Sequence, residues 1–474
     1  MEAGTAVPPA SDPPLKRAIS RNMLLLFVIG DVVGGGIYTL VGKVGGEVGG
    51  MVWLPMGIAL LLALLTATAY AELVTKYPQA AGAALYVNKA FGRPFFTFMV
   101  AFAVMCSGIA SATTLARGVA GTYLPQLIDG IDGTTAIKLI GFGFLLIVAA
   151  INFRGISESV KVNVVLTLIE IGGLVLIIVV GVAALLDGTG DVGNAFSTRG
   201  QDVDLIPATM TATALAFYAL IGFEDSVNVA EEAEDPRRDY PRALFGGIAV
   251  AGVIYLVIGI LAPAVLPVDK LLSTDDVDNP LIEIVQLDPL SIPVKVFAVI
   301  GILALANGAL INMIMASRLT YGMSRQGIIP SFFSRVHVGR RTPLNAILFT
   351  TGLAAILLLV TNDLTELSGT TTSLLLGVFV FVNISVLVLR RDRVDRDHFV
   401  APSALPAIGA VISLALLVHR VVEDTDQIVY ALGLLALGLV FWLVNVGASR
   451  SGRGTEFDTG LIERIEHPDD PDDR

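Results

Sequence analysis

Four acidic side chains stand inside long apolar stretches of this sequence: Asp31, Glu170, Glu224 and Asp225. A carboxylate in apolar surroundings is costly unless it meets a donor, a counter-charge or a proton. These are therefore the residues best suited to carrying protons or holding cations. Asp31 lies in the run GDVVGGGIY, residues 30–38, and Glu224 and Asp225 follow Gly222 in TALAFYALIGFEDSVN, residues 213–228. Other chemistries find no footing. Cys106 is the only cysteine, and the four histidines form no HExxH or HxH pair. That leaves no disulfide framework, no cysteine-based zinc site and no metal expected beyond a cation. No nucleophile triad or phosphate loop appears, and the GxGxxG-like glycines lie inside an apolar run rather than after a strand. The residues thus point away from an enzyme, and no cofactor is expected.

The elements that must position these acids follow from composition. The chain has 474 residues, 54% hydrophobic and 15% charged, with mean hydropathy +0.76. A soluble domain carries about 25% charged residues. Such a chain belongs in a lipid bilayer, and its net charge of -11 argues against nucleic acid. With about 20 apolar residues per crossing, twelve spans are expected, near 23–46, 51–75, 94–122, 135–153, 159–186, 205–231, 242–266, 293–321, 343–361, 366–390, 402–420 and 427–448. Residues 1–22 read as a polar N-terminal tail without a cleavable signal, and 449–474 as an acidic, disordered C-terminal tail. Between them, 23–390 read as a ten-helix core and 391–448 as two appended helices. Lys and Arg concentrate on one side of this topology, including Arg21, Lys76, Lys89, Arg154, Arg237, Arg325 and Arg390. The other side and its helix ends hold Lys43, Arg117, Lys138, Arg199, Lys270, Lys295 and Arg420. The positive-inside rule then puts both termini in the cytoplasm. The acidic exterior and an excess of Arg over Lys, 23 to 8, suggest a salt-loving prokaryote.

Two spans are interrupted. Three consecutive glycines, Gly34–Gly36, each weaken a helix by about 1 kcal/mol relative to alanine. A GGG run suits a break better than a smooth helix interface, although tight packing is the plainer alternative. In the sixth span an apolar half ends at Gly222 and an acidic half begins at once. Spans one and six open the two five-helix halves, and paired interruptions of this kind mark the binding site of carriers built on an inverted repeat.

These motifs resemble the amino acid–polyamine–organocation superfamily of secondary transporters. The first-span GDVVGGGIY, the loop YPQAAGAALYVNKAFG, the sixth-span FYALIGFEDSVNVAEEAEDPRRDYPRAL and the eighth-span SRLTYGMSRQGIIPSFFSRV followed by RTP match in order and spacing. The sixth-span match rests on Gly222, Phe223, Glu224, Asn228, Glu231, Pro236 and Pro241. The resemblance implies an all-α membrane protein with a LeuT-type 5+5 inverted repeat, broken helices 1 and 6, and helices 11 and 12 appended. It implies an amino acid permease of the cell membrane working by alternating access. The substrate carboxylate would meet N–H groups at Gly34, Gly35 and Gly36. The ammonium would meet carbonyls near Val32, Tyr218, Ala219 and Ile221. Phe217, Tyr218 and Phe223 would cover the site as gates, with plain core packing the alternative. Helix termini that attract charge suit such a site physically.

Coupling falls to Asp31, Glu170 and Glu224. Glu224 matches a family acid associated with proton-dependent gating, and Asp225 could cap the inner half-helix. Glu170 departs from the pattern: some proton-coupled relatives carry lysine there, so a lysine mechanism does not transfer. Its carboxylate could carry a proton or hold a cation beside carbonyls of Gly30 and Val33; otherwise it is a buried acid satisfied by a local donor. Proton symport is the leading mode, with exchange or sodium symport as alternatives. A channel or transport-like nutrient sensor is the alternative of a different class. Lys43 and Arg117 are expected to snorkel at helix ends. Glu72 is expected to be an ion-pair partner, and Asn307 and Asn312 are candidates to line the path.

Overall fold

The computed structural model describes residues 19–78, 82–131, 133–154, 159–198, 204–227, 233–271, 279–287, 290–325, 329–337, 340, 342–392, 394, 397–423 and 425–450. Both polar tails, apart from a few flanking residues, and the motif positions Asn228 and Glu231 lie outside them. The described residues are helical, with only isolated bridges between Ile19 and Ala233 and between His337 and Thr342.

Sixteen helices follow in order. They are α1 (Arg21–Val33), α2 (Gly36–Val48), α3 (Trp53–Lys76), α4 (Gly82–Phe91), α5 (Pro94–Gly118), α6 (Thr134–Arg154), α7 (Ser159–Leu186) and α8 (Leu205–Tyr218). Then come α9 (Pro236–Val265), α10 (Val268–Leu271), α11 (Pro280–Gln286), α12 (Val294–Arg325), α13 (Leu344–Val360), α14 (Leu364–Leu389), α15 (Ala404–Glu423) and α16 (Thr425–Arg450). Ten helical segments, counting α1 and α2 as one, are long and apolar enough to cross a membrane; α8 and α13 are shorter apolar helices. Helix starts are fixed by ordinary capping chemistry. Asp363 accepts from the N–H of Thr365 at 2.8 Å to open α14, and Asn279 accepts from Leu281 at 2.9 Å to open α11. Pro236, capped by Asp235, starts α9 six residues before the expected boundary at 242.

The buried centre is formed where α1, α2, α3, α5, α8, α9, α12 and α14 pack on one another. Outer helices turn large apolar side chains outward, among them Leu139 and Ile147 of α6, Leu168 of α7, Val411 of α15 and Leu443 of α16. In water these would be a liability; in lipid they are the solvent-facing surface.

Polar networks tie the helix ends. On the face that carries the N-terminal end of α1, Glu72 receives Arg390 through two bonds, from Nε at 2.8 Å and Nη2 at 2.6 Å, and the N–H of Ala401 at 2.9 Å. The expected ion-pair role of Glu72 is what the geometry shows. Its carboxylate holds the Arg390 guanidinium above its ordinary range. Lys76 donates to the carbonyls of Leu389 and Asp392, fastening α3 to α14. Glu72→Gln removes one charge of a half-enclosed pair. A loss of about 2 kcal/mol is expected, between the values for exposed and buried pairs. Thermal unfolding in detergent measures it, and an unchanged midpoint refutes the assignment.

On the opposite face, Lys43 and Arg117 do not snorkel. Lys43 is 8% exposed and pairs with Asp363 at 3.4 Å, and Arg117 is 3% exposed and donates to the carbonyl of Asn362. Lys138 donates to the carbonyl of Leu359 at 2.6 Å and to Asn362 Oδ1 at 2.9 Å. Three cations thus converge on the junction of α13 and α14. The C-terminal carbonyls of α13 and an acidic cap supply negative charge there.

Candidate functional site

The first interruption forms where α1 runs out of hydrogen-bond partners. The N–H of Gly34 closes the last turn on Gly30 O at 3.2 Å, and the N–H of Gly36 folds back on Gly34 O at 2.5 Å. Of the three N–H groups expected to be open, only that of Gly35 has no backbone partner among the described residues. The helix resumes at Gly36, with Thr39 Oγ1 donating back to Gly35 O and Gly36 O at 3.1 and 3.0 Å.

The second interruption comes earlier than the hydropathy suggests. The helix α8 ends at Tyr218 rather than Gly222, and residues 219–224 form turns. Gly222 has φ 128°, a region closed to side chains with a Cβ. Its N–H donates to Glu224 Oε2 at 2.9 Å. Glu224 therefore caps this turn. An inner half-helix for Asp225 to cap is not formed in the described residues, which show a single short turn over 225–227.

The two interruptions touch. A Cβ on Gly36 would lie 2.6 Å from the Ala219 Cα, and one on Gly222 would collide with the carbonyl oxygen of Asp31. Tyr255 of α9 joins them, its hydroxyl reaching Val32 O at 2.9 Å and Ala219 O at 3.0 Å. Two of the carbonyls expected to face an ammonium thus already share one donor.

A cavity of about 420 Å³ opens at this junction. Its walls include Asp31, Gly34, Gly35, Gly36, Tyr218, Ala219, Ile221 and Asp225. The far wall is Ser111 and Leu115 of α5 with Gly308 and Asn312 of α12. Ser111 Oγ and Tyr218 OH are 3.2 Å apart, and Asn312 Nδ2 donates to Gly308 O at 2.9 Å. A second cavity of about 330 Å³ shares Ser111, Ile221, Asp225 and Asn312 and adds Val104, Ser107, Glu224, Met315 and Leu319. Val104 lies seven residues before Ser111 along α5, about 10 Å at 1.5 Å per residue, toward the face that carries the N-terminal end of α1. On the other side the junction is sealed. Tyr38 is fully buried, and its carbonyl accepts from Tyr123 OH and Asn279 Nδ2, both at 2.7 Å. Its ring stacks on Phe297 at 6.0 Å.

A family model described as amino acid permease matches residues 20–444. The chain belongs to that family. It lies within the superfamily that the sequence motifs resemble. This permease is 27% identical to the methylthioribose transporter of Bacillus subtilis over 84% of its own length and 87% of that protein's. It is 24% identical to the branched-chain amino acid permease BcaP of the same species, covering 91% and 93%. It is 28% identical to the low-affinity putrescine importer PlaP of Escherichia coli K12, covering 85% and 88%. These relatives are membrane transporters, not enzymes.

Within the permease, the gate assignment of Phe217 and Phe223 does not match the geometry. Neither lines either of these two cavities. Both are fully buried against Phe379 of α14, Phe217 edge-on at 5.9 Å and Phe223 stacked at 5.5 Å, with Phe223 also edge-on to Tyr70. They are core aromatics that brace the second interruption from behind. Glu170 also stands outside the cavity, fully buried in α7. Its Oε1 accepts from Asn307 Nδ2 at 3.0 Å, and its backbone carbonyl accepts from Tyr38 OH at 2.6 Å. Its Oε2 has no partner, nor does the buried Thr167 Oγ1, one turn earlier and pressed against Gly30. Among the described residues Glu170 has no basic partner. Of the residues proposed for a cation, Gly30 packs against Thr167, and Val33 is fully buried.

Sequence reasoning missed Tyr255, Tyr38, Asn279 and Thr167. Each is an ordinary residue in its own helix, given meaning by a partner many residues away.

One substitution tests the first interruption. A Cβ on Gly35 runs into Leu115, with Leu305 Cγ at 3.0 Å. Gly35→Leu is expected to abolish substrate binding while the protein still inserts and purifies as a folded monodisperse species. Scintillation-proximity binding of labelled substrate reads it; retained affinity in the folded variant rejects the assignment.

Proposed function

We propose that this permease is a secondary active transporter of amino acids working by alternating access, with proton symport as its driving mode. The observation that carries the reading is the meeting of two interrupted helices around a cavity with the Gly35 N–H and carboxylates in its wall. In this reading the chain crosses the membrane twelve times, the first ten spans forming a 5+5 inverted repeat. Both termini lie in the cytoplasm of a cell whose plasma membrane holds the protein.

The α-carboxylate of the substrate lies at the Gly35 N–H and the N-terminal end of α2. Its ammonium lies at the carbonyl ends of α1 and α8. The cavity chain toward the N-terminal face is the inward path, and the Tyr38 cluster is the closed outer gate. Glu170 is the coupling group. A carboxyl this enclosed, with one hydrogen bond and no counter-charge, is stable when it holds a proton or has a cation beside it. Tyr38 bonds its backbone, so the outer gate and the coupling group are one unit.

The test is uptake of labelled amino acids into proteoliposomes under proton and sodium gradients imposed separately. Saturable accumulation driven by the proton gradient is expected. Accumulation driven by sodium alone, or flux only against internal amino acid, would replace symport by the corresponding mode. Non-saturable dissipative flux would reject the carrier reading for a channel.

A further inference from the structure

The cavity wall has an unusual charge balance. Asp31 and Asp225 line the junction cavity, and Glu224 and Asp225 line the one that continues from it. No Lys, Arg or His lines either. Asp31 lies within electrostatic range of Asp225 and Glu224. Asp31 Oδ2 is buried without a hydrogen-bond partner. Glu224 is 7% exposed and spends one oxygen on Gly222 N–H; no other residue bonds its second oxygen among those described. Asp225 donates its backbone N–H to Gly222 O, and its carboxylate has no bonded partner among the described residues.

The backbone adds to this field. The helices α1 and α8 both end at the junction, each presenting a C-terminal end with about half a negative charge. Among the described residues α2 begins there, and a short turn over 225–227 follows the second interruption. One helix N-terminus can balance one substrate carboxylate. Two helix C-termini are enough for one ammonium. Three carboxylates remain with no cation. A neutral amino acid would bring no charge to these groups and leave protons alone to neutralise them. A substrate with a second cationic group would supply the missing charge, and buried charges persist in proteins when they are paired in this way.

We propose that the substrate is a net-cationic amine, a basic amino acid or a diamine, whose second cationic group is received by Asp225 and Asp31 at the junction cavity. This rests on the transport reading above and narrows its substrate class. Asp225 faces both cavities, so it meets the distal amine along the inward path. Glu224 extends the acidic wall along that path. Ser111, Tyr218 and Asn312 opposite it are neutral and leave the balance unchanged.

The test is uptake of labelled lysine, putrescine, leucine and glutamate by the purified full chain in proteoliposomes. Lysine or putrescine is expected to enter at least tenfold faster than leucine at equal subsaturating concentration, with no glutamate uptake. Leucine or glutamate preferred over both cations overturns the inference and leaves the carrier intact. Flux of none of the four, under either gradient, by folded protein rejects the carrier reading and this inference with it.

Asp225→Asn is then expected to weaken competition by the preferred cation at least tenfold more than it weakens competition by leucine. Asp225→Glu should restore most of the cation's affinity. Equal loss for every probe in both variants, with unfolding midpoints unchanged, would remove Asp225 from recognition and overturn the assignment.

Discussion

Gly222→Ala is expected to lower uptake at least a hundredfold. Two penalties fall on the same atom. Alanine at φ 128° is strained whatever its surroundings, at about 1–3 kcal/mol. Its Cβ would also collide with the carbonyl oxygen of Asp31, and a backbone atom cannot turn aside as a side chain can. Overpacking of that kind adds about 1–3 kcal/mol. Relief requires the turn after α8 to move away from α1. That movement separates Glu224 from the Gly222 N–H and pulls Ala219 from the bond it shares with Val32 through Tyr255. The cavity would lose its walls on both sides. Gly172→Ala and Gly352→Ala are the controls. Both lie within helices and meet nothing within 4 Å, so they should transport as wild type and gain a little stability. Labelled uptake and thermal unfolding run on all three settle the matter. Transport by Gly222→Ala within twofold of wild type would show that the two interruptions need not touch.

Why one interruption was legible and the other only half so has a physical answer. Three glycines in a row remove the side chains of almost a full turn, and any reading of helix propensity sees it. The helix α8 stops four residues before Gly222, just ahead of ALI, residues 219–221, which hydropathy reads as more of the same span. What ends it is a positive-φ glycine downstream and a carboxylate reaching back to it, a tertiary turn written in backbone angles rather than in apolar content. The aromatic residues show the same limit. Phe217 and Phe223 flank the break in sequence and so resemble gates, yet Phe379, some 150 residues later, holds both in the core. Lys43 and Arg117 carried the signature of snorkelling side chains. Asn362 and Asp363, across the fold, turned them inward. The helices and their lengths follow from local composition. The site's second layer depends on contacts between distant helices, and a single sequence leaves those unspecified.

Glu170→Gln is expected to separate driven accumulation from exchange. Glutamine keeps the size of the side chain and can still accept from Asn307 Nδ2 through its amide oxygen, so the helix contacts should survive. The backbone carbonyl that receives Tyr38 OH is untouched, so the seal on that side should persist. What disappears is a buried carboxyl, with its unpartnered Oε2 one turn from the unpartnered Thr167 hydroxyl. If that oxygen holds the coupling proton, the variant should lose at least tenfold in accumulation driven by a proton gradient. Exchange of labelled for unlabelled substrate, which needs no net proton movement, should stay within threefold and become insensitive to pH. Glu170→Leu is the contrasting variant. It leaves Asn307 without its acceptor inside the fold, at a cost of about 1–3 kcal/mol, and should lose stability as well as coupling. Equal accumulation by Glu170→Gln and wild type would leave Glu170 as a structural acid held by Asn307 and Tyr38. The coupling proton would then have to ride on the acids of the cavity wall.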